Sequence, residues 1–292
     1  MSSNLNNSIQ KKEFLITCEL SPPKGSNYHE LIEHASTLKG LLNAINITDG
    51  QGGNMRMCSH IASHLVERET GIETICQIVC RDRNRIGLQS DILGAAALGI
   101  KNFLALSGDK AAGGDHPEAK DVFDLGTDDL VKVFKQFAQN LDLSNNKLDN
   151  LETAFCVGAA AHPGLPDLKS QAQKMKDREE EGVKFFQTQI VYELDQLKSF
   201  MDSITNISAP VLIGITPLKS VKMAKFMNEK VYGVTVPDKL IEKLDGSANP
   251  QEEGIKLALE LIHEVKNLGG KGVHIMAIGN EKRLNEIISQ IK

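Results

Sequence analysis

Six polar side chains stand at or near the ends of short apolar runs that are spread over most of the sequence. Two are carboxylates, which can move a proton or stabilise a developing positive charge, and two are amides, which can donate and accept hydrogen bonds at a ring edge. If the fold brings the six together, they can bind a polar heterocycle and act on it by acid catalysis. The residues are Glu19, Thr48, Gln77, Asp109, His162 and Gln189.

The apolar runs themselves have the length and composition of strands. Eight of them are rich in β-branched or aliphatic residues, and a longer segment of helical periodicity follows each one. The first four begin near positions 14, 43, 73 and 102, a spacing typical of strand–helix units. The pattern predicts a single-domain α/β protein with the (β/α)8 TIM-barrel fold, whose strands all open at their carboxyl ends on one face. The runs read FLITCE, NAINITDG, ETICQIVC, NFLALSGD, AFCVGAAAHP, FFQTQIVYE, PVLIGITP and VHIMAIG.

Two connections are longer than this repeat requires. The segment after strand 4 begins with GDKAAGGDHPEAKDVFDLG, whose glycines, aspartates and proline predict an extended loop on the face where the strands end. Between strands 7 and 8 the segment IKLALELIHEVKNLGG predicts an extra helix that ends at a glycine pair. The first residues are polar, so we divide the chain into a polar N-terminal tail over 1–12 and a barrel domain over 13–292.

Composition and charge favour a small-molecule substrate. The 292-residue chain has a formal net charge of −5, which argues against nucleic-acid binding because that normally needs a basic face. No apolar stretch is long enough to cross a bilayer and the N-terminal residues lack the apolar core of a secretory signal, so we expect a cytoplasmic protein. The five cysteines are expected to be reduced, mostly as core residues of strands. They are Cys18, Cys58, Cys76, Cys80 and Cys156.

Three of the polar residues have both a chemical and a purely structural interpretation. Glu19 precedes a proline pair, so it lies at a strand end, where burial beside apolar neighbours would favour its protonated form and a general-acid role. The alternative is a salt-bridged glutamate. Asp109 follows Gly108 and could bind heterocycle N–H groups or stabilise a cation, or it could cap a helix or loop. Gln189 could read a ring edge or satisfy its amide within the barrel.

Arginines and histidines supply two further candidate sites. Arg81, Arg83 and Arg85 follow strand 3 near a helix start, where they could hold phosphate groups, and an exposed cationic loop is the alternative. His60 and His64 share a helix face, but HIASH lacks the glutamate of the metalloprotease motif, so we expect no metal site. Neither dinucleotide-fold glycines nor a Walker lysine motif occurs, so a nucleotide cofactor would have to bind through barrel loops.

Four longer motifs follow the same strands in order. They are ITDGQGGNMR after strand 2, CRDRNRIGLQSDILGAAALGIKNFLALSGD through strand 4, FFQTQ at strand 6 and GITPLKSVKMAKFMNE after strand 7. Together they resemble the methylenetetrahydrofolate reductase family over roughly residues 13–285. The resemblance implies a flavin-dependent (β/α)8 barrel. It also implies hydride transfer from reduced flavin to the methylene carbon of 5,10-methylenetetrahydrofolate, which opens to a 5-iminium cation and leaves as 5-methyltetrahydrofolate.

The same resemblance implies roles for particular residues. Glu19 stands where the family places the acid that assists ring opening, and Asp109 stands where an aspartate contacts the pterin and stabilises the iminium. Gln189 matches a pterin-binding glutamine, and Phe226 matches a phenylalanine that packs on the substrate's aminobenzoate or on nicotinamide. Positions at or near the family's FAD contacts are Thr48, Gln77, Ser107, Gly108, Asp109, Ala159, His162 and Arg178.

Three of these positions depart from the family pattern. Gln77 takes the place of a histidine found in many members, Ser107 that of an arginine and His162 that of a tyrosine. The loop GGDHPEAKDVFDL aligns poorly with the family's adenine-side loop, so no contact is assigned to it. FAD is the expected flavin, with FMN as the alternative.

The sequence leaves alternatives for the electron donor and for the oligomeric state. The family commonly uses one pocket for nicotinamide and folate in turn, so NAD(P)H can be the electron donor without a separate dinucleotide motif. The alternative donor is a partner subunit. The chain has no iron–sulfur cysteine set of its own. A homo- or hetero-oligomer is compatible with this pattern. Two other functions compete. One is a flavin-free pterin-binding barrel that moves a methyl group to a corrinoid protein, and the other is a flavin-carrying, non-catalytic subunit of an electron-transfer complex.

Overall fold

The computed structural model describes residues 2–231, 233–279 and 281–291. Within them, each apolar run of the sequence forms a parallel strand, and the strands close into a barrel in chain order because the last strand pairs with the first. The (β/α)8 prediction is therefore confirmed. The strands are β1 (Leu15–Leu20), β2 (Ala44–Ile47), β3 (Thr74–Val79), β4 (Asn102–Leu106), β5 (Cys156–Ala161), β6 (Phe185–Ile190), β7 (Val211–Ile215) and β8 (Gly272–Ile275).

Helices surround the barrel, and both long connections have the predicted character. The connection after β4 is irregular over 107–126 apart from a short 3-10 turn, and β7 and β8 are joined by α8, α9 and α10 instead of one helix. The helices are α1 (Asn4–Gln10), α2 (His29–Ser36), α3 (Ser59–Thr70), α4 (Arg85–Ala97), α5 (Thr127–Phe137), α6 (Leu168–Glu180), α7 (Leu194–Ser203), α8 (Val221–Lys230), α9 (Asp238–Asp245), α10 (Pro250–Asn267) and α11 (Leu284–Ser289).

Alternation along the strands divides the apolar residues between two cores. Outward-facing side chains such as Ile45, Ile47 and Ile213 are fully buried against the helices. Inward-facing side chains at the amino ends of the strands form a second cluster that fills the barrel floor, and this cluster includes Leu15 and Phe185. The barrel interior is therefore packed with side chains at its amino end, and the space for a ligand lies at its carboxyl end.

One glycine of β5 makes room for the largest side chain of this floor. A Cβ atom at Gly158 would lie 2.3 Å from Cζ of Phe185, much closer than non-bonded carbon atoms approach. Phe185 is paired in register with Gly158 on the neighbouring strand and is fully buried. The absence of a side chain at position 158 therefore lets the phenyl ring lie across the barrel interior.

The N-terminal residues contribute to the floor although their sequence is polar. Residues Asn4–Gln10 form helix α1, in which Leu5 is 1% exposed within the inner cluster and Ile9 packs against that cluster while partly buried. The carboxylate of Glu73 accepts hydrogen bonds from the backbone N–H groups of Asn4 and Leu5, at 2.7 and 3.0 Å. The segment expected to be a polar tail is thus a short helix that closes the amino end of the barrel.

The cysteines are distributed largely as the sequence indicates. Cys18, Cys76 and Cys156 are buried within strands, Cys80 is buried directly after β3, and Cys58 is exposed before α3. Burial raises the pKa of Cys76 to about 12 and that of Cys80 to about 11, so these thiols stay protonated at neutral pH. Among the described residues, no cluster of histidine, cysteine and carboxylate side chains is placed to hold a metal ion, and no helix has the length and apolarity to cross a membrane.

Candidate active site

A cavity of about 430 Å³ opens at the carboxyl ends of the strands, within the range of about 300–1,000 Å³ common for small-molecule sites. Residues from seven strands or their following loops reach it, so side chains distant in sequence share one space. Those that carry polar groups include Glu19, Asp49, Gln51, Gln77, Arg81, Ser107, Asp109, His162, Gln171, Lys174, Arg178, Gln187, Thr188, Gln189 and His274.

Glu19 lies at the end of β1 with its side chain only 11% exposed. Its two carboxylate oxygens face amide donors. Gln51 Nε2 donates to Oε1 at 3.0 Å, and Gln77 Nε2 donates to Oε2 at 3.3 Å. Nε2 of His274 lies 3.9 Å from the same Oε2, beyond hydrogen-bond distance. Glu19 therefore has no ion pair with a lysine or arginine among the described residues, and its carboxyl group lines the cavity.

A buried ion pair holds the loop that carries Gln51 against the neighbouring strand. Asp49 and Arg83 are in direct contact, and Asp49 also accepts a hydrogen bond from the backbone N–H of Val79 at 3.0 Å. Arg83 continues to Asp91 of α4 at 2.9 Å. This chain of contacts fixes the turn after β2 against β3 and α4, and so fixes the amide that reaches Glu19.

Asp109 lies across the mouth, after β4. Its Oδ2 accepts the backbone N–H of Gly52 at 3.2 Å, and its carbonyl oxygen accepts Nη1 of Arg81 at 3.1 Å. The carboxylate is exposed to solvent at the cavity mouth, and a ligand can approach it there. Arg81 is itself 3% exposed and forms an ion pair with Asp82, so it holds the Asp109 backbone without neutralising the Asp109 carboxylate.

The far wall of the cavity is formed by β5 and α6. Arg178 donates to the carbonyl of Ala160 at 3.1 Å and to Asp128 at 2.6 Å, which fixes its guanidinium beside His162. Burial and the nearby positive charge of Arg178 lower the pKa of His162, so its imidazole is neutral at pH 7. Lys174, one turn earlier on α6, also lines the cavity and forms no ion pair within the described part of the chain. This wall therefore supplies positive charge.

Most of the residues expected at the site from sequence do line the cavity, and three do not. Thr48 is fully buried at the end of β2, Ala159 faces outward into the helix packing while its neighbour Ala160 lines the cavity, and Phe226 is 55% exposed on α8. The residues that the structure brings together are Glu19, Gln77, Ser107, Gly108, Asp109, His162, Arg178 and Gln189.

The arginines after strand 3 have structural roles. Arg81 pairs with Asp82, Arg83 with Asp49 and Asp91, and Arg85 with Asp124. They form neither an open phosphate site nor a free cationic loop, because carboxylates neutralise all three. His64 Nδ1 lies 3.2 Å from the carbonyl oxygen of Leu98, a contact between α3 and the end of α4.

Sequence reasoning did not single out the polar residues deeper in the barrel. Thr17, Asn46, Gln187 and His274 are each at most 3% exposed and hydrogen-bond one another below Glu19. The signal that could have found them is a polar residue at an inward position of an otherwise apolar strand, repeated at one level in four strands.

The fold and the site together define a (β/α)8-barrel protein with a cavity lined by carboxylates and amides at the carboxyl ends of its strands. The family model for methylenetetrahydrofolate reductase matches residues 4–292, and the chain belongs to this family.

Two proteins that carry the family's name are similar to this chain, each at low sequence identity. The chain is 24% identical to 5,10-methylenetetrahydrofolate reductase of Salmonella typhimurium, over 90% of this chain and 86% of that protein. It is 23% identical to methylenetetrahydrofolate reductase 1 of Schizosaccharomyces pombe, over 96% of this chain but 46% of the yeast protein. The chain thus spans less than half the length of the yeast relative. A crystal structure of 2,3-dimethylmalate lyase matches 99% of this chain and 83% of that one with a TM-score of 0.55 and 8% identity, a likeness of fold alone.

Proposed function

We propose that this protein is a flavin-dependent oxidoreductase that reduces 5,10-methylenetetrahydrofolate to 5-methyltetrahydrofolate. The observation that carries the proposal is the meeting of Glu19, Asp109 and Gln189 around one cavity, in a chain of the methylenetetrahydrofolate reductase family. The reaction needs an acid, a group that stabilises a cation and a group that binds a pterin edge. These three side chains can supply those functions.

Features of the cavity wall fit a flavin. Thr48 lies behind this wall, after β2, and its buried hydroxyl has no hydrogen-bond partner in the described ranges, so it is an unsatisfied polar group close to the site. Gly108 has a left-handed backbone (φ +91°), and a Cβ there would lie 3.0 Å from the side chain of Val79. Glycine at this position therefore lets the backbone after β4 pack against β3 while it lines the cavity. Lys174 and Arg178 could bind the flavin phosphates, and Gln77, Ser107 and His162 lie on the walls between.

When bound, the reduced flavin supplies the hydride for the methylene carbon. Glu19 supplies the proton. The bond from the methylene carbon to N10 of the folate would break, N10 would take the proton of Glu19, and the methylene carbon of the resulting 5-iminium cation would accept the hydride and become the N5-methyl group. Glu19 ends as a carboxylate between the amide donors of Gln51 and Gln77, which stabilise the negative charge as it forms.

The other residues bind and orient the substrate in this proposal. The exposed carboxylate of Asp109 stabilises the N5 cation through charge. The Oε1 atom of Gln189 accepts the backbone N–H of Ile190 at 3.0 Å, which orients the amide and leaves its N–H groups for the pterin. Phe226, exposed on α8, is the apolar surface available to the aminobenzoate part of the substrate or to nicotinamide. FAD is proposed as the flavin, and NAD(P)H or a partner protein as the electron donor.

The test combines cofactor binding with single-turnover chemistry. The purified protein is loaded with FAD or FMN, reduced anaerobically with NADH, NADPH or reduced ferredoxin in turn, and mixed with methylenetetrahydrofolate. We expect a yellow protein whose reduced flavin is reoxidised with formation of 5-methyltetrahydrofolate, detected by chromatography. A colourless protein that binds neither flavin but transfers a methyl group to a corrinoid protein would be a methyltransferase. Flavin binding without reoxidation by the folate would indicate an electron-transfer subunit.

A further inference from the structure

A layer of buried polar side chains lies directly beneath Glu19. Asn46 and Gln187 exchange amide hydrogen bonds across the barrel, at 2.7 Å and 3.0 Å. Gln187 Nε2 also donates to Oγ1 of Thr17 at 3.2 Å, and that hydroxyl lies 2.9 Å from Nδ1 of His274. The layer connects four strands and ends at the imidazole whose other nitrogen faces Glu19.

The hydrogen bonds of this layer determine which nitrogen of His274 carries the proton. The Gln187 amide nitrogen can only donate, so Thr17 Oγ1 accepts its N–H and is left with one hydroxyl hydrogen to donate. The acceptor within reach is Nδ1 of His274. Nδ1 also lies 3.5 Å from Gln187 Nε2, but the two hydrogens of that nitrogen point to Asn46 Oδ1 and Thr17 Oγ1, so the donor that Nδ1 meets is the hydroxyl of Thr17. The neutral imidazole therefore holds its proton on Nε2, which points at Glu19.

The surroundings of Glu19 then consist of donors. Gln51 and Gln77 present N–H groups to its two oxygens, and His274 presents an N–H 3.9 Å from Oε2. When Glu19 is protonated, its O–H finds no acceptor among these three neighbours and has to point into the cavity. If His274 carried its proton on Nδ1 instead, the bare Nε2 would be an acceptor, and the acid would have an internal partner competing with the substrate.

We propose that His274 is a positioning residue for Glu19, and that Thr17, Gln187 and Asn46 fix its tautomer so that the proton of Glu19 is available only to the substrate. The proposal rests on the proposed function, because it assumes that Glu19 is the acid. It adds a role for a buried imidazole that does not touch the reacting atoms. It also gives the polar layer in the middle of the barrel a chemical purpose.

Two substitutions of the same residue separate this role from packing. His274→Asn keeps a polar group near the Nδ1 position and removes the one that faces Glu19, whereas His274→Gln can place an N–H near the Nε2 position. We expect His274→Asn to slow reoxidation of the reduced flavin by saturating methylenetetrahydrofolate about tenfold to a hundredfold, the range of a displaced catalytic group. We expect His274→Gln to recover most of the rate, and neither change to alter the rate at which dithionite reduces the flavin.

A spectroscopic measurement on the wild-type protein tests the tautomer directly. Ring nitrogens of ¹⁵N-histidine protein are recorded without substrate, with the His274 signals assigned by their loss in His274→Gln. We expect the signals of an unprotonated Nδ1 and a protonated Nε2. The opposite pattern overturns the proposal even if His274→Asn does not fold, and so does a wild-type reoxidation rate in folded His274→Asn. If wild-type protein fails to oxidise its flavin with the folate, the proposed function fails instead, whatever the tautomer.

A buried hydroxyl elsewhere in the barrel is the control for general damage. Thr74 on β3 is fully buried and donates from Oγ1 to Glu67 of α3 at 2.8 Å, on the helix side of the sheet. Thr74→Val therefore removes a buried hydrogen bond without touching the layer below Glu19. We expect it to lower thermal stability as Thr17→Val does, while the ¹⁵N pattern of His274 changes only in Thr17→Val.

Discussion

The chemistry proposed for this protein depends on how one carboxyl group is held. Glu19 is nearly buried, yet its oxygens meet N–H groups and not the charge of a lysine or arginine. The two amides donate to its oxygens, so they would stabilise the negative charge that forms on Glu19 when it gives a proton to the substrate in the proposed reaction. A strong salt bridge at this position would favour the charged form throughout.

Glu19→Gln tests the role of this acid. The amide has the same shape but no proton to give, so we expect flavin and folate binding to be retained. We expect reoxidation of the reduced flavin by methylenetetrahydrofolate to slow by about 100- to 10,000-fold, the usual contribution of general acid catalysis. Stopped-flow absorbance measures this rate. Glu33→Gln, the same substitution at an exposed position of α2, should match the wild type, and a near-normal rate in Glu19→Gln would remove the acid role.

At this scale the sequence predicted the rim of the site better than its interior. Glu19, Asp109 and Gln189 are polar residues where an apolar run ends, and such positions in a barrel open on the ligand face. His274 lies inside the run VHIMAIG, where a single polar residue has no distinguishing pattern until the neighbouring strands are aligned in space. Ala159 differs from Ala160 only by the alternation of the strand, and sequence alone did not fix which of the two faces inward.

The connection between β4 and α5 shows how an irregular element is held at the mouth. Asp124 accepts hydrogen bonds from the backbone N–H and the guanidinium of Arg85, both at 2.9 Å, and Asp115 contacts Lys24 and the backbone N–H of Met55. Asp121 accepts the N–H of Ala111 at 2.8 Å. Asp115 and Asp124 thus tie the connection to the segments after β1 and β2 and to α4, and Asp121 holds the connection internally.

The pair of Arg85 and Asp124 predicts a dependence of stability on pH. Hydrogen bonds from Arg85 lower the pKa of Asp124 to about 2 from an ordinary value of 3.8. The contribution of this group is therefore complete above about pH 4 and is lost as the pH falls from there through 2. We expect Asp124→Asn to lower the Tm at pH 7, and the gap to the wild type to narrow as the pH falls below 4. Asp245→Asn, at an exposed position, serves as control, and a gap that is constant down to pH 2 would contradict the assignment.

The barrel floor allows a prediction about packing between two strands. Gly158→Ala places a methyl group 2.3 Å from the ring of Phe185, so one of the strands has to move, at a cost of about 1–3 kcal/mol. Urea denaturation measures the loss. Gly94→Ala is the matched control, because position 94 lies inside α4 with no atom within 4 Å of the added carbon, and there we expect about 0.5–1 kcal/mol of stabilisation. Equal effects of the two substitutions would contradict this account.

Elements were predictable where a periodic pattern of several residues defines them. The strands are short apolar runs, and the added helices before β8 show in LALELIHEV and the segments before it. Helix α1, in contrast, could not be predicted from a local pattern. Its sequence NLNNSIQ carries only Leu5 as a fully buried apolar residue, and it is held by the carboxylate of Glu73 from another part of the chain. A helix fixed by a tertiary contact leaves no local periodicity to read.

In the molecule as a whole, the residues that stabilise the fold and those proposed to carry out the reaction lie at opposite ends of the barrel axis. Polar residues and the cavity lie at the carboxyl ends of the strands, while the opposite end is filled by apolar side chains and covered by α1. The buried polar layer of Thr17, Asn46, Gln187 and His274 lies between the two. Substitutions at the floor should therefore change the free energy of unfolding without changing the rate of the proposed reaction.

Leu5→Ala tests this separation. Leu5 is 1% exposed in the floor cluster, and a buried leucine shortened to alanine leaves a cavity that costs about 2–5 kcal/mol. We expect the midpoint of urea denaturation to fall by a corresponding amount, while reoxidation of reduced flavin by methylenetetrahydrofolate keeps its wild-type rate. Leu98→Ala, the same change at a side chain that is 36% exposed after α4, should affect neither quantity. A slower reoxidation in folded Leu5→Ala would mean that the floor and the mouth are coupled through the polar layer between them.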